Sequence, residues 1–154
     1  MSNLYRKGVG ACILNSKNQI FMAERLDIKN QWQMPQGGVD ENEDLDIAIF
    51  RELLEEVGTD KFEIIAKTDW LKYDLPVEHR ANLIKGKYIG QKQIWYFLKF
   101  TGVDTDINLN ADSHPEFSQW KWVEKEELVE KIIDFKKDMY KEIIRFGLEK
   151  GIFK

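Results

Sequence analysis

Hydrophobic and polar positions alternate along this chain in a way that predicts strands before and after one central helix, with two helices at the end. Residues 9–14 are a continuous apolar run that reads as a buried strand. Asn15, Ser16, Lys17 and Asn18 supply turn residues, and residues 19–25 read as the return strand of a hairpin. A polar loop leads to a short extended piece over 32–36, because the residue before Pro35 avoids the helical region. Gly37 and Gly38 then predict a turn with backbone shapes closed to other residues. Acidic groups from Asp40 to Asp44 favour a helix start, and Gly58 its stop. Strands are expected at 62–68, 70–73, 93–100 and 119–123, with 93–100 the strongest signal. Residues 74–91 and 101–117 read as irregular, and helices are expected at 126–133 and 134–150. This order predicts an α/β fold, a mixed sheet between helical layers.

The central helix carries an electrostatic problem. On a wheel of about 100° per residue, with Glu52 at zero, Glu56 falls at about 40° and Glu55 at about 300°. The three carboxylates share one stripe and repel, while Arg51 points off it. Leu45, Ala48 and Ile49 lie on the same stripe, and Phe50, Leu53, Leu54 and Val57 lie opposite. A helix apolar on two sides is expected to be buried on two sides. Clustered, partly buried carboxylates call for a cation, and oxygen-only ligands point to Mg2+ or Mn2+. An ordinary solvated acidic face is the alternative that the helix alone leaves open.

Composition narrows the rest. The 154 residues are 43% hydrophobic and 32% charged, the size and make-up of one domain. A net charge of -4 gives no general basic field for long nucleic acid, so an anionic ligand must be met locally. The single cysteine, Cys12, sits in an apolar run and allows no internal disulfide, which suits a reducing cytoplasm. No apolar run approaches membrane-spanning length, the first residues do not read as a signal peptide, and no obligate protein partner is expected.

The stretch from Gly37 to Thr59 matches G-x5-E-x7-R-E-U-x-E-E-x-G-U, through Gly37, Glu43, Arg51-Glu52-Leu53, Glu55-Glu56 and Gly58. In this it resembles the Nudix hydrolases. Only the last position departs, with Thr59 where a bulky aliphatic residue is usual. The resemblance implies a single Nudix domain over 1–154, an α/β/α sandwich with a mixed β-sheet and a loop-helix-loop catalytic motif. It implies hydrolysis of phosphoric anhydrides, with Glu52, Glu55 and Glu56 holding metal and a main-chain carbonyl near Gln36 or Gly37 adding a ligand. Glu52 or Glu56 would be the general base. Arg51 and Glu43 would brace the loop against the helix.

Further pieces resemble the bacterial RNA pyrophosphohydrolases, also called dinucleoside polyphosphate hydrolases. They are Tyr5-Arg6, residues 32–38, Tyr73-Asp74-Leu75-Pro76, Gly90-Gln91-Lys92-Gln93, Pro115-Glu116-Phe117, Trp120-Lys121-Trp122 and residues 135–140. Lys7-Gly8 departs from the family's usual Pro plus small or polar residue. This resemblance implies that Glu116 reaches the metals from a loop. It also implies substrate contacts from Arg6, Arg25, Gln91, Lys92 and Lys136, with Lys85 and Lys87 as weaker candidates. For Tyr73 and Phe135 it leaves two roles open, stacking on bases or packing in the core. The implied substrates are the 5′-triphosphate end of RNA, losing pyrophosphate, or a dinucleoside polyphosphate such as diadenosine tetraphosphate, giving ATP and AMP. A Nudix-like nucleotide-binding or regulatory domain without hydrolysis, and a housecleaning nucleoside triphosphate pyrophosphatase, are the competing readings.

Overall fold

A computed structural model describes residues 4–80 and 88–153, so Lys85 and Lys87 lie outside the described residues, as do the side chains of His79 and Arg80. Strand β1 (Tyr5–Leu14) runs parallel to β7 (Gly90–Phe100) along its whole length, from Tyr5 opposite Gly90 to Leu14 opposite Lys99. Both strands read as nearly continuous apolar runs because both faces of this pair are covered. Val9, Ala11, Ile13, Ile94, Tyr96 and Leu98 pack in one core with Ala48, Ile49 and Leu53 of helix α1 (Leu45–Glu56). Cys12, Leu14, Trp95 and Phe97 pack in a second core with Met139, Tyr140 and Ile143 of helix α4 (Lys137–Glu149) and Leu128 of α3 (Lys125–Lys131). The result is the expected α/β/α sandwich. Burial pushes the Cys12 thiol far up, so it is an inert core residue.

Each outer edge of the central pair is shared by two short strands. β4 (Gln36–Gly38) lies antiparallel to β1 at Gly8, Val9 and Gly10. β2 (Ile20–Arg25) meets β1 only at Leu14 opposite Ile20, then diverges to pair with β8 (Phe117–Val123) and β3 (Trp32–Gln33). The expected hairpin is therefore short, its turn closed by Asn15 N–H to Gln19 O at 3.0 Å and, within it, Asn18 N–H to Asn15 O at 3.0 Å. β2 has to leave because β4 already occupies that edge. On the far side β7 is shared between β5 (Phe62–Lys67) and β6 (Leu71–Asp74), both antiparallel. Thr68 bridges the gap, donating from N–H to Trp95 O at 2.9 Å and accepting Trp95 N–H at 3.0 Å on its hydroxyl.

The irregular stretches hold more order than their polarity predicts. A short helix, α2 (Val77–Arg80), follows β6, and single 3₁₀ turns occur at Asp104–Asp106 and Asp134–Lys136. The last of these replaces the first turn of the expected terminal helix, and α4 begins only at Lys137.

The fully buried Tyr140 links α4 to the connection between β3 and β4, its hydroxyl accepting the Met34 N–H at 2.8 Å. Tyr140→Phe leaves that buried N–H without a partner, a loss of about 1–3 kcal/mol. Thermal unfolding should show a drop in Tm of about 2–4 °C for each kcal/mol.

Candidate active site

Local sequence defines both ends of α1. The Asp44 carboxylate caps the helix, accepting the N–H groups of Asp46 at 2.9 Å and Ile47 at 3.1 Å. Gly58 ends it at φ 81°, its N–H donating to Leu53 O at 3.1 Å. A Cβ there would also lie 2.3 Å from Asn108 O, so both conformation and space exclude a side chain. Between these ends Glu52 and Glu56 stand one turn apart and are each 9% exposed, while Glu55 is exposed. The expectation of a helix buried on two sides is corrected by Leu54, which is 51% exposed. The buried residues Ala48, Ile49, Glu52, Leu53 and Glu56 all fall on one broad side of the helix, where Gly37 of β4 lies against Glu52.

Gly37 and Gly38 are needed for a different reason from the one their sequence suggests. They form extended strand, and neither is among the positive-φ glycines. What matters is the missing side chain. A Cβ on Gly37 would lie 2.1 Å from the carboxyl carbon of Glu52, and one on Gly38 would lie 2.2 Å from Arg6 Nη2. The main chain of β4 is thus pressed flush against the Glu52 carboxylate on one residue and a guanidinium on the next.

Arg51 also departs from expectation. It was expected off the acidic stripe, yet its long side chain curls back onto it. Its guanidinium contacts Glu43 at 2.7 and 2.9 Å, Gly38 O at 3.0 Å and Glu52 Oε1 at 3.1 Å, with Glu55 Oε2 at 3.6 Å. Glu43, held first by Arg51 and then by the Asp40 N–H, has its carboxyl pulled down to about 2. This is the brace between loop and helix, and it supplies the charge relief that the wheel did not reveal.

That relief is incomplete. Burial raises the Glu52 carboxyl, opposed by Arg51. Glu56 lies well above the usual range, through burial first and then the neighbouring Glu52 and Glu116 carboxylates. Its Oε2 is buried with no hydrogen-bond partner. Among the described residues no three His, Cys, Asp or Glu side chains are already drawn in around one ion-sized point. The donors nonetheless fit a hard divalent cation: all are oxygens, one is orphaned, and Glu116 arrives from a distant loop close enough to act on Glu56. Glu52, Glu56 and Glu116 would hold such an ion, with Glu55 at the exposed rim and Gly37 beside Glu52.

These groups line a cavity of about 710 Å³. Arg6, Arg25, Tyr73, Gln91, Phe135 and Lys136 line it as well. Lys136 is only 6% exposed, and its Nζ lies 3.4 Å from Gln36 Oε1 and 5.7 Å over the Tyr73 ring. It forms no ion pair with a carboxylate among the described residues. Burial first, then nearby Arg25, lowers its ammonium to about 8. Tyr73 is buried and Phe135 half-buried, their ring centres 6.0 Å apart. Arg25 is gripped at both nitrogens by Asp27, at 2.9 and 2.6 Å.

Lys92 is the one described substrate candidate that does not line the cavity. Side chains alternate along β7, so Gln91 faces the cleft and Lys92 faces away, its Nζ 5.4 Å over the Trp70 ring. The cleft also contains Asp27, Gln31, Gln33, Asp112 and His114, to none of which the sequence alone assigns a role. Their signal was proximity alone: Asp27 stands two residues from Arg25, and Asp112 and His114 just precede Glu116.

The raised carboxyls set a stability signature. A group whose pKa is higher folded than unfolded contributes stability below its unfolded pKa and loses it as pH rises through the folded value. Metal-free protein should therefore lose stability on raising pH from about 5 upward, above the ordinary glutamate range. Glu56→Gln, neutral throughout, should flatten that decline and raise the Tm of metal-free protein at alkaline pH. Thermal unfolding across pH, with and without a divalent salt, reads both effects, and the salt should flatten the wild-type decline.

Comparison with known proteins agrees with this geometry. The NUDIX domain family matches residues 4–145. An RNA pyrophosphohydrolase of Wolbachia pipientis subsp. Culex pipiens (strain wPip) is 49% identical over 141 residues, covering 91% of this chain and 87% of that protein. The structure of the E. coli dihydroneopterin triphosphate pyrophosphohydrolase superposes with a TM-score of 0.72 at 18% identity, covering 91% of this chain and 97% of the other. A C. elegans Ap4A hydrolase binary complex gives a TM-score of 0.66 at 21% identity, covering 92% and 96%. Those two likenesses concern the fold. With the family match spanning most of its length and its motif built into the cleft, this chain belongs to the NUDIX family.

Proposed function

We propose that this protein is a Mg2+- or Mn2+-dependent pyrophosphohydrolase that removes pyrophosphate from the 5′-triphosphate end of RNA. One observation carries the reading: a single cleft is lined both by the glutamates, one with an orphaned carboxyl oxygen, and by arginines, aromatic rings and a buried lysine. A 49% identical relative bears the name RNA pyrophosphohydrolase, which supports the same substrate. A dinucleoside polyphosphate is the second reading, because it presents the same run of phosphates ending in a stackable base. Cys12, buried and without a disulfide partner, suits a cytoplasmic location, and no described helix is long and apolar enough to cross a membrane.

In this reading water attacks one phosphorus, the bond to the bridging oxygen breaks, and pyrophosphate and a 5′-monophosphate end are released. A divalent cation, when bound, supplies positive charge against the phosphate oxygens and acidifies water. Glu52 or Glu56 takes the proton of the attacking water, with Glu116 adding a third carboxylate. Arg6, Arg25 and Lys136 neutralise the phosphate chain. Tyr73 and Phe135 meet the first base. Gln91 offers an amide from the cleft wall.

Purified protein with Mg2+ or Mn2+ should release pyrophosphate from triphosphorylated RNA faster than it degrades free nucleoside triphosphates, which would oppose a housecleaning role. Turnover of diadenosine tetraphosphate, measured alongside, ranks the second substrate. No release from any of these would leave only a binding role. Glu56→Gln should lower turnover by about 100-fold or more, the scale of losing acid–base chemistry.

Lys136 adds a pH prediction. An ammonium with a pKa of about 8 in the free enzyme loses charge above that pH. The value of kcat/KM, which reports ionisations of the free enzyme, should therefore fall above about pH 8. Lys136→Met should remove that alkaline limb and lower kcat/KM at neutral pH.

A further inference from the structure

Glu24, on β2, is a buried carboxylate that hydrolysis leaves without a task, being 6% exposed. Its Oε2 accepts the Asn30 N–H at 2.7 Å. Its Oε1 accepts from Gln119 Nε2 at 2.7 Å and from the Ser118 hydroxyl at 3.2 Å. These donors, Gln119 first and Asn30 next, hold its carboxyl below the usual range, with Lys29 adding little.

The donors belong to two segments that border the cleft. Asn30 sits in the left-handed region at φ 69° and closes the loop that carries Asp27 and Ile28, both cleft-lining residues. Ser118 and Gln119 immediately follow Glu116 and Phe117. The same two segments touch again where Leu26 N–H donates to Glu116 O at 2.9 Å. Here the β2–β8 ladder is irregular, its register shifting between Glu24 and Arg25. The slipped ladder leaves the separation of the two segments resting on few main-chain bonds. The buried carboxylate, with one oxygen on each segment, adds a second tie beside the Leu26–Glu116 bond.

We infer that Glu24 is a positioning residue that ties the Asp27 loop to the Glu116 loop and so sets where the Glu116 carboxylate enters the cleft. It touches neither substrate nor reacting atoms. This assignment rests on the hydrolase reading only in so far as Glu116 takes part in turnover.

The test is a double-mutant cycle. Glu24→Gln keeps the shape but presents an amide N–H to one set of donors, leaving it unsatisfied. Alone it should lower both turnover of triphosphorylated RNA and Mn2+ affinity, measured by calorimetry, by about 10- to 100-fold, the scale for residues that orient ligating groups. In a Glu116→Ala background the same change should add less than about twofold. Hydrogen exchange should quicken at the Leu26 and Asn30 amides in Glu24→Gln. Gln119→Ala, which removes a single donor, should move each readout the same way but less, and it substitutes for Glu24→Gln should that variant fail to fold. Losses that multiply across the cycle, or unchanged exchange at both amides, would overturn the assignment. A wild-type protein without turnover would defeat the hydrolase reading instead, and Mn2+ affinity with exchange would still decide the role of Glu24.

Discussion

Two carboxylates one helical turn apart, both withdrawn from water, form the constraint to which the surrounding structure answers. Glu52 and Glu56 repel each other, and burial penalises the charge on both. The protein meets this in part with Arg51, whose guanidinium ties Glu43, Gly38, Glu52 and Glu55 into one network. It meets it in part with the glycines of β4, which let the main chain close against Glu52 where any side chain would collide. What is left over, the buried Glu56 oxygen without a hydrogen-bond partner, is one that a hard divalent cation would fit.

The cleft arises from how the sheet is edged. The parallel pair β1–β7 runs unbroken through the molecule, but each of its outer edges passes from one short strand to another. β4 and β6 take the ends from which Arg6, Gly37, Gly38, Tyr73 and Gln91 project, and β2 and β5 take the other ends. Phe135 and Lys136 close over this region from the 3₁₀ turn before α4. The same splitting that denies β1 and β2 a full hairpin therefore opens the space the ligand needs.

Much of this was legible in the chain. The strand runs, the helix from Asp44 to Gly58 and the layered α/β class follow from periodicity and caps, which are local. The carboxylate set followed from spacing on a single helix. Contacts made across the sheet were not legible. Arg51 has enough rotatable bonds to leave its own stripe, and no wheel records that. Gly37 looked like a conformational residue because sequence cannot distinguish a need for positive φ from a need for no side chain. Lys92 was named by resemblance alone, which does not say which face of β7 its side chain takes, and it does not line the cleft. Glu24 gave no signal at all, since its three donors lie 6, 94 and 95 positions away.

The two faces of the sheet also divide the molecule's history. Glu52 and Glu56 stand on α1, over one core, while Tyr73 and Phe135 pack with the other. The central strands separate these layers, so residues around Phe135 and residues of α1 belong to different packing clusters. Selectivity can drift at the first while the second is kept. A family of enzymes with one reaction and many substrates is the expected lineage of such an architecture.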